Sequence, residues 1–249
     1  MSLSNPRKVN PATKFIDWSG SKGQFKYYDK KKKENVFFEE DIYIIPLDDL
    51  NTIRGFDSDN QCGYYSNEVK YLNKEEMFVK SFKGGQIAKG LYNNLKLPAG
   101  CKFSKSVYAA MIIYDEENTS IELVNFQFIG AAVKAWFDAK IKVESGNIIK
   151  LSASTELLKK GATEYYAPKI LKVGKRNDIL NKCVEMDKEL QIYLKSYFNQ
   201  DHSEETEKIA KKEAQEDITK SEEEITAEMY MKESEKVIDD FNDVDDLPF

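Results

Sequence analysis

The chain has 249 residues, 41% of them hydrophobic and 32% charged, with a net charge of −6 at pH 7. That length suffices for one large domain or two small ones with a sizeable core. Cys62, Cys101 and Cys183 lack CxxC spacing, which argues against a disulfide framework or a zinc site and fits a reducing cytoplasm.

No window approaches eighteen apolar residues, so no membrane span is expected. The polar start, Met1–Asn10, has no apolar core of a signal peptide. Lys14-Phe15-Ile16-Asp17-Trp18 and Gln24-Phe25-Lys26-Tyr27-Tyr28 read as strands of a hairpin, turned by Ser-Gly-Ser-Lys-Gly. A lysine-rich turn, Asp29 to Glu34, leads to Val36-Phe37-Phe38 and Ile42-Tyr43-Ile44-Ile45, a long strand expected to end before Pro46. Further strands are expected at 63–70 and 77–82, and Gly84-Gly85 to open a short helix through Leu95. The apolar run Val107–Tyr114 suits a buried strand, with 121–128 as its hairpin partner.

At Ile129 the period changes, and Ile129, Ala132, Val133, Trp136 and Phe137 form a helical face. Strand character returns over 147–173. Asn177 is a good N-cap for a helix whose face carries Ile179, Cys183, Met186, Leu190, Tyr193 and Tyr197. Apolar content then collapses: 201–236 reads as a charged linker or weak helix, and 237–249 as a disordered acidic tip. The fold class is mainly β (α+β) with flanking helices.

Charge and aromatics divide the chain the same way. Residues 1–200 hold 31 Lys/Arg and 25 Asp/Glu, while residues 201–249 hold 6 and 18. Of the 30 Phe, Trp and Tyr, 27 precede residue 200. Unpaired nucleic acid is gripped by cations along its phosphates and by aromatic faces on which bases stack. The first hairpin interleaves both in Lys14, Trp18, Lys22, Phe25, Lys26, Tyr27 and Tyr28. Strand alternation prevents both members of Tyr27-Tyr28, Tyr64-Tyr65 or Tyr165-Tyr166 from facing a core, and Lys70, Lys169 and Lys172 lie near these pairs. Lys80-Ser81-Phe82-Lys83 repeats the theme. The DNA-binding candidates are therefore Trp18, Lys22, Phe25, Lys26, Tyr27, Tyr28, Tyr64, Tyr65, Lys70, Lys80, Phe82, Lys83, Tyr165, Tyr166 and Lys169.

The tip carries Asp239, Asp240, Asp243, Asp245 and Asp246, then Leu247-Pro248-Phe249. A terminal ring and carboxylate beside a run of acids suit capture by a basic, apolar pocket. This tip resembles that of bacterial and phage single-stranded DNA-binding proteins. Asn10–Trp18, Phe25–Lys30 and Phe78–Gly85 are similar to segments of the phage members. The resemblance implies an elaborated OB-type barrel binding single-stranded DNA, without catalysis or cofactor. It also implies a tail that recruits replication, recombination and repair proteins through Asp239 to Phe249 in the host cytoplasm. A body of this size is larger than a minimal bacterial one, which leaves monomer or homo-oligomer open.

Enzyme readings find little support. His202 is the sole histidine, no GxxxxGK[ST] or strand–GxGxxG–helix unit occurs, and Asp17, Asp29, Glu39, Asp41 and Asp57 read as surface and turn residues. Two other readings remain: a structural or assembly protein docking through its acidic end, and a strand-annealing recombination protein.

Overall fold

A computed structural model describes residues 9–57, 61–114, 119–143 and 146–199. It is mainly β. In chain order the elements are β1 (Lys14–Ser19), β2 (Gln24–Asp29), β3 (Glu34–Phe37), β4 (Ile42–Asp57), β5 (Cys62–Ser66), β6 (Met77–Ser81) and β7 (Gln86–Gly90). There follow β8 (Cys101–Tyr114), β9 (Thr119–Ile129), α1 (Ala131–Asp138), β10 (Ile148–Ser152), β11 (Leu157–Lys160), β12 (Thr163–Tyr166), β13 (Lys169–Gly174) and α2 (Asn177–Phe198).

The strands run β3-β2-β1-β9-β8-β4-β5-β6-β7, with β10 pairing β4 along Ile42–Ile44 and β13 outside β10. Among the described residues only β1 and β9 pair in parallel. No pairing joins β3 to β7, so among the described residues the sheet is open and no closed barrel forms. β11 and β12 make a separate two-stranded ribbon.

The expected hairpins at the first turn and at β8–β9 are present, as are the helices expected after Ile129 and from Asn177. Pro46 does not end its strand. β4 continues to Asp57 because the pairing with β8 shifts register between Pro46 and Asp48, and a bulge accommodates a residue without an N–H. No helix follows Gly84-Gly85. With φ of +94° and +87° these glycines make a turn that returns β7 onto β6, and helix is limited to one 3-10 turn at Tyr92–Asn94. The strand expected over 63–70 stops at Ser66. Asn177 is the first helical residue and not the cap; Arg176 caps without a side-chain bond, its guanidinium held by Asp178.

Alternation divides the sheet into a core face and an opposite face. The core face carries Ile16, Phe25, Ile44, Val107, Val124, Phe126 and Phe128, against which α1 packs Ala132, Val133 and Trp136. Trp136 stacks on Phe128 with centroids 5.1 Å apart. This core continues into Ile53, Tyr64, Met77 and Val79. On the opposite face α2 covers one end only. Ile179 and Cys183 sit on Ile45, Ala110 and Ile112, and Leu190 and Leu194 on Leu50, Tyr108 and Leu123. The rest of that face is left to polar, aromatic and basic side chains.

Candidate nucleic-acid interface

Cross-strand registers fix which side chains share the uncovered face. Asp17 lies level with Gln127, Gln127 with Ser106, Thr52 with Ser104, and Arg54 with both Lys102 and Tyr65. Flat strands at about 4.8 Å spacing would put β4 some 14 Å from β1. Arg54 Nη1 nevertheless approaches Asp17 Oδ1 to 3.6 Å, across β8 and β9. Coiling of the twisted sheet makes this face concave along that diagonal.

The floor of the concavity is polar. Ser104, Ser106 and Asn125 are fully buried and Gln127 is 6% exposed. Asn125 Nδ2 donates to Ser106 Oγ at 2.7 Å, and Gln127 Nε2 donates to Ser106 and Asn125. Gln127 Oε1 has no partner, a deficit that a donor entering the groove would relieve.

Aromatics and cations flank the floor on both sides. On one wing Phe15 is 46% exposed, Tyr28 and Lys26 share the face, and Lys22 Nζ lies 4.0 Å from the Phe37 ring centroid. On the other, Tyr65 and Phe82 stack with centroids 5.0 Å apart and planes 27° from parallel. Lys80 is the cross-strand neighbour of Tyr65, and Lys89 Nζ sits 5.0 Å from the Phe78 centroid. Gly63 makes the stack possible, since a Cβ there would lie 2.2 Å from the Phe82 ring. The arrangement offers what a single strand needs: ring faces for bases, cations for phosphates, and amide and hydroxyl groups between them.

Glu68 closes the network at the end nearest α2. It accepts from Ser106 Oγ and, at 3.0 Å, from Tyr108 Oη, which in turn accepts from Asn10 Nδ2. Its backbone N–H donates to Tyr197 Oη of α2 at 2.7 Å. Burial pushes the Glu68 carboxyl above its ordinary 4.5, opposed by the two hydroxyl bonds and by Arg54. A carboxyl pKa raised by folding means that the folded chain keeps a proton the unfolded chain has released. Stability therefore falls as pH rises from about 4.5 through the folded pKa. Glu68→Gln is expected to remove this fall, so its melting temperature gains on the wild type between pH 5 and pH 7. Equal pH dependence of the two in calorimetry would show that Glu68 is ionised throughout.

The structure separates the fifteen expected DNA-binding residues into groups. Lys22, Lys26, Tyr28, Tyr65, Lys80, Phe82 and Lys83 belong to the uncovered face or its rim. Phe25 and Tyr64 are core residues, at 2% and 8% exposure, and have no ring face for a base. Trp18 and Tyr27 also pack on the core side. Trp18 stands edge-on to Phe25 and donates through Nε1 to the Tyr166 carbonyl at 2.9 Å. Lys70 is on the loop after β5, 3.4 Å from Asp48 Oδ2. Tyr165 and Tyr166 are on the ribbon, and Lys169 is on β13 opposite Ser152. Asp239 to Phe249 lie outside the described residues.

Arg54, Gln127, Phe15 and Lys102 were missed by sequence reasoning. A strand reading carried past Pro46 would have set Arg54 two residues from Thr52 and on its face. Among the described residues no group of three or more His, Cys, Asp or Glu is placed to hold a metal ion, and no helix is long and apolar enough to cross a membrane. Comparison with protein-family models, curated proteins and solved structures finds no match to this chain.

Proposed function

We propose that the chain is a sequence-independent single-stranded DNA-binding protein without catalytic activity, acting in phage replication and recombination. The observation that carries the reading is the concave, uncovered face itself. It sets the Tyr65–Phe82 stack and the Phe15 ring to either side of a buried polar floor crossed by Arg54. A protein-docking face of that extent is expected to be apolar at its centre, whereas this one is polar at the centre and aromatic at the sides. The open curved sheet is read as an elaborated OB-type fold whose concave face takes the strand. The phage setting and the role of Asp239 to Phe249 in recruiting partner proteins rest on the resemblance of the tip and the hairpin segments.

A fluorescence titration with poly-dT tests the reading. Binding should weaken with salt on a log–log slope of about −0.7 per phosphate contacted. Residues 1–200 should bind more tightly than the full chain at low salt, because the segment removed holds 18 acidic and 6 basic residues and competes for the groove. No binding at low salt would remove the reading. Binding weakened by the truncation would remove the competition.

A further inference from the structure

One buried acceptor on the floor of the uncovered face is held in a fixed orientation with nothing to accept. Gln127 is 6% exposed, and its Oε1 is buried without a partner. The surrounding network decides which end of the carboxamide is left open. Glu68 accepts from the Ser106 hydroxyl, so Ser106 Oγ has only lone pairs to offer its other neighbours. The carboxamides of Asn125 and Gln127 must therefore both turn nitrogen toward it, at 2.7 and 3.2 Å. The second N–H of Gln127 goes to Asn125 Oδ1, which uses up its donors and leaves Oε1 as its one open group. A buried acceptor left unpaired carries a desolvation penalty that an incoming donor removes.

Gln127 stands beside a ring on which a base can stack. Its chain neighbours Phe126 and Phe128 are in the core, so Gln127 and Asn125 point to the opposite face. On β1, Phe15 lies level with Asn125 and next to the core residue Ile16, which puts its exposed ring on that same face. One strand spacing and two residues of rise set Phe15 about 8 Å diagonally from Gln127. The width of a base and the length of the glutamine side chain span that gap. Asp17, level with Gln127, extends toward Arg54 and is 30% exposed, so the side chain a donor has to pass is a surface one.

We propose that Gln127 Oε1 is a base-edge acceptor, taking an N–H from a nucleobase stacked on Phe15. The inference rests on the single-stranded DNA reading and adds a contact to it. Every base carries an N–H donor on its pairing edge: a ring N–H in thymine and guanine, an exocyclic amine in cytosine and adenine. A lone acceptor can therefore take a hydrogen bond from any of them and reads no sequence. In a duplex those edges are turned to the partner strand, so the contact favours unpaired DNA.

The test compares binding of fluorescein-labelled oligo-dT by the full chain with binding of the same strand methylated at every thymine N3. Methylation keeps the phosphates and the ring faces and removes the donor. The wild type should bind the methylated strand roughly tenfold more weakly. Gln127→Met, which keeps the length of the side chain and loses its acceptor, should bind the two strands alike. Phe15→Ala should also lose the preference, because no ring then holds the base beside Gln127. Both variants are checked for an unchanged melting temperature. Equal binding of the two strands by the wild type would overturn the assignment, and that comparison needs no variant to fold. A preference that persists in Gln127→Met would place the methyl group's clash elsewhere and overturn it as well. A preference that persists in Phe15→Ala would overturn Phe15 as the platform. Failure of the wild type to bind either strand would instead remove the reading on which the contact rests.

Discussion

Replacing Phe25 with alanine is expected to cost about 3–5 kcal/mol of folding free energy, whereas replacing Phe82 should leave folding nearly intact and weaken oligonucleotide binding by about 1–3 kcal/mol. Both rings were equally plausible stacking residues in the sequence. Phe25 lies edge-on to Trp18, Phe126 and Phe128 in the core, so its removal leaves a cavity among aromatics that cannot all collapse into it. Phe82 lies across Gly63 on the open face, with Tyr65 stacked beside it. Tyr65→Ala should resemble Phe82→Ala. Gly63→Ala should also weaken binding, because the new methyl pushes the Phe82 ring off its seat. Urea denaturation and a poly-dT titration of the same four variants separate the two effects. If Phe82→Ala melts the protein as Phe25→Ala does, the stack is structural and the binding face lies elsewhere.

The second large effect is expected at Gly100. Its φ is +78°, and a Cβ would lie 2.0 Å from the Phe56 carbonyl oxygen, while one on Gly55 would lie 2.2 Å from Gly100 O. Backbone meets backbone at this crossing, so no side-chain rotation can relieve the clash. Gly100→Ala should cost about 3 kcal/mol or more, combining the left-handed conformation with displaced main chain. Gly85 makes a fair control, since its φ of +87° is as unfavourable to alanine but nothing lies within 4 Å. Gly85→Ala should cost only about 1–2 kcal/mol. Similar denaturation midpoints for the two would mean that the close approach does not hold β4 against the start of β8. Since Arg54 and Lys102 flank this crossing, Gly100→Ala should also lower oligonucleotide affinity per folded molecule.

Much of the strand order could be read because local signals were strong. Gly20 and Gly23 mark the first turn, the apolar run to Tyr114 marks β8, and the period change at Ile129 marks α1. The face of α2 was legible at Ile179, Cys183, Met186, Leu190, Tyr193 and Tyr197, and the structure adds Leu194 to it. The site was only half legible. Alternation shows that Tyr64 and Tyr65 face opposite ways, but which of them is free depends on what lies above each face. That is decided by the loop around Tyr92, which covers Tyr64, and by α2, which stops short of Tyr65. Arg54 was hidden because proline ordinarily ends a strand, and the bulge beside Pro46 is a tertiary solution. Lys26 and Lys80 carry charge in the sequence yet are as buried as the core ring of Tyr64, at 5% and 7% exposure, and nothing in their local sequence signals that burial.

The hydrogen bond from Glu68 to Tyr197 fixes where the chain leaves α2. Asn199 follows within two residues, so whatever comes next begins at the rim of the groove and not at the far side of the body. If the single-stranded DNA reading holds, an acidic segment tethered that closely would compete at an effective concentration on the order of millimolar. Its competition would then be set by the tether and would not change on diluting the protein, which would favour long strands that engage many phosphates at once over short fragments that engage few.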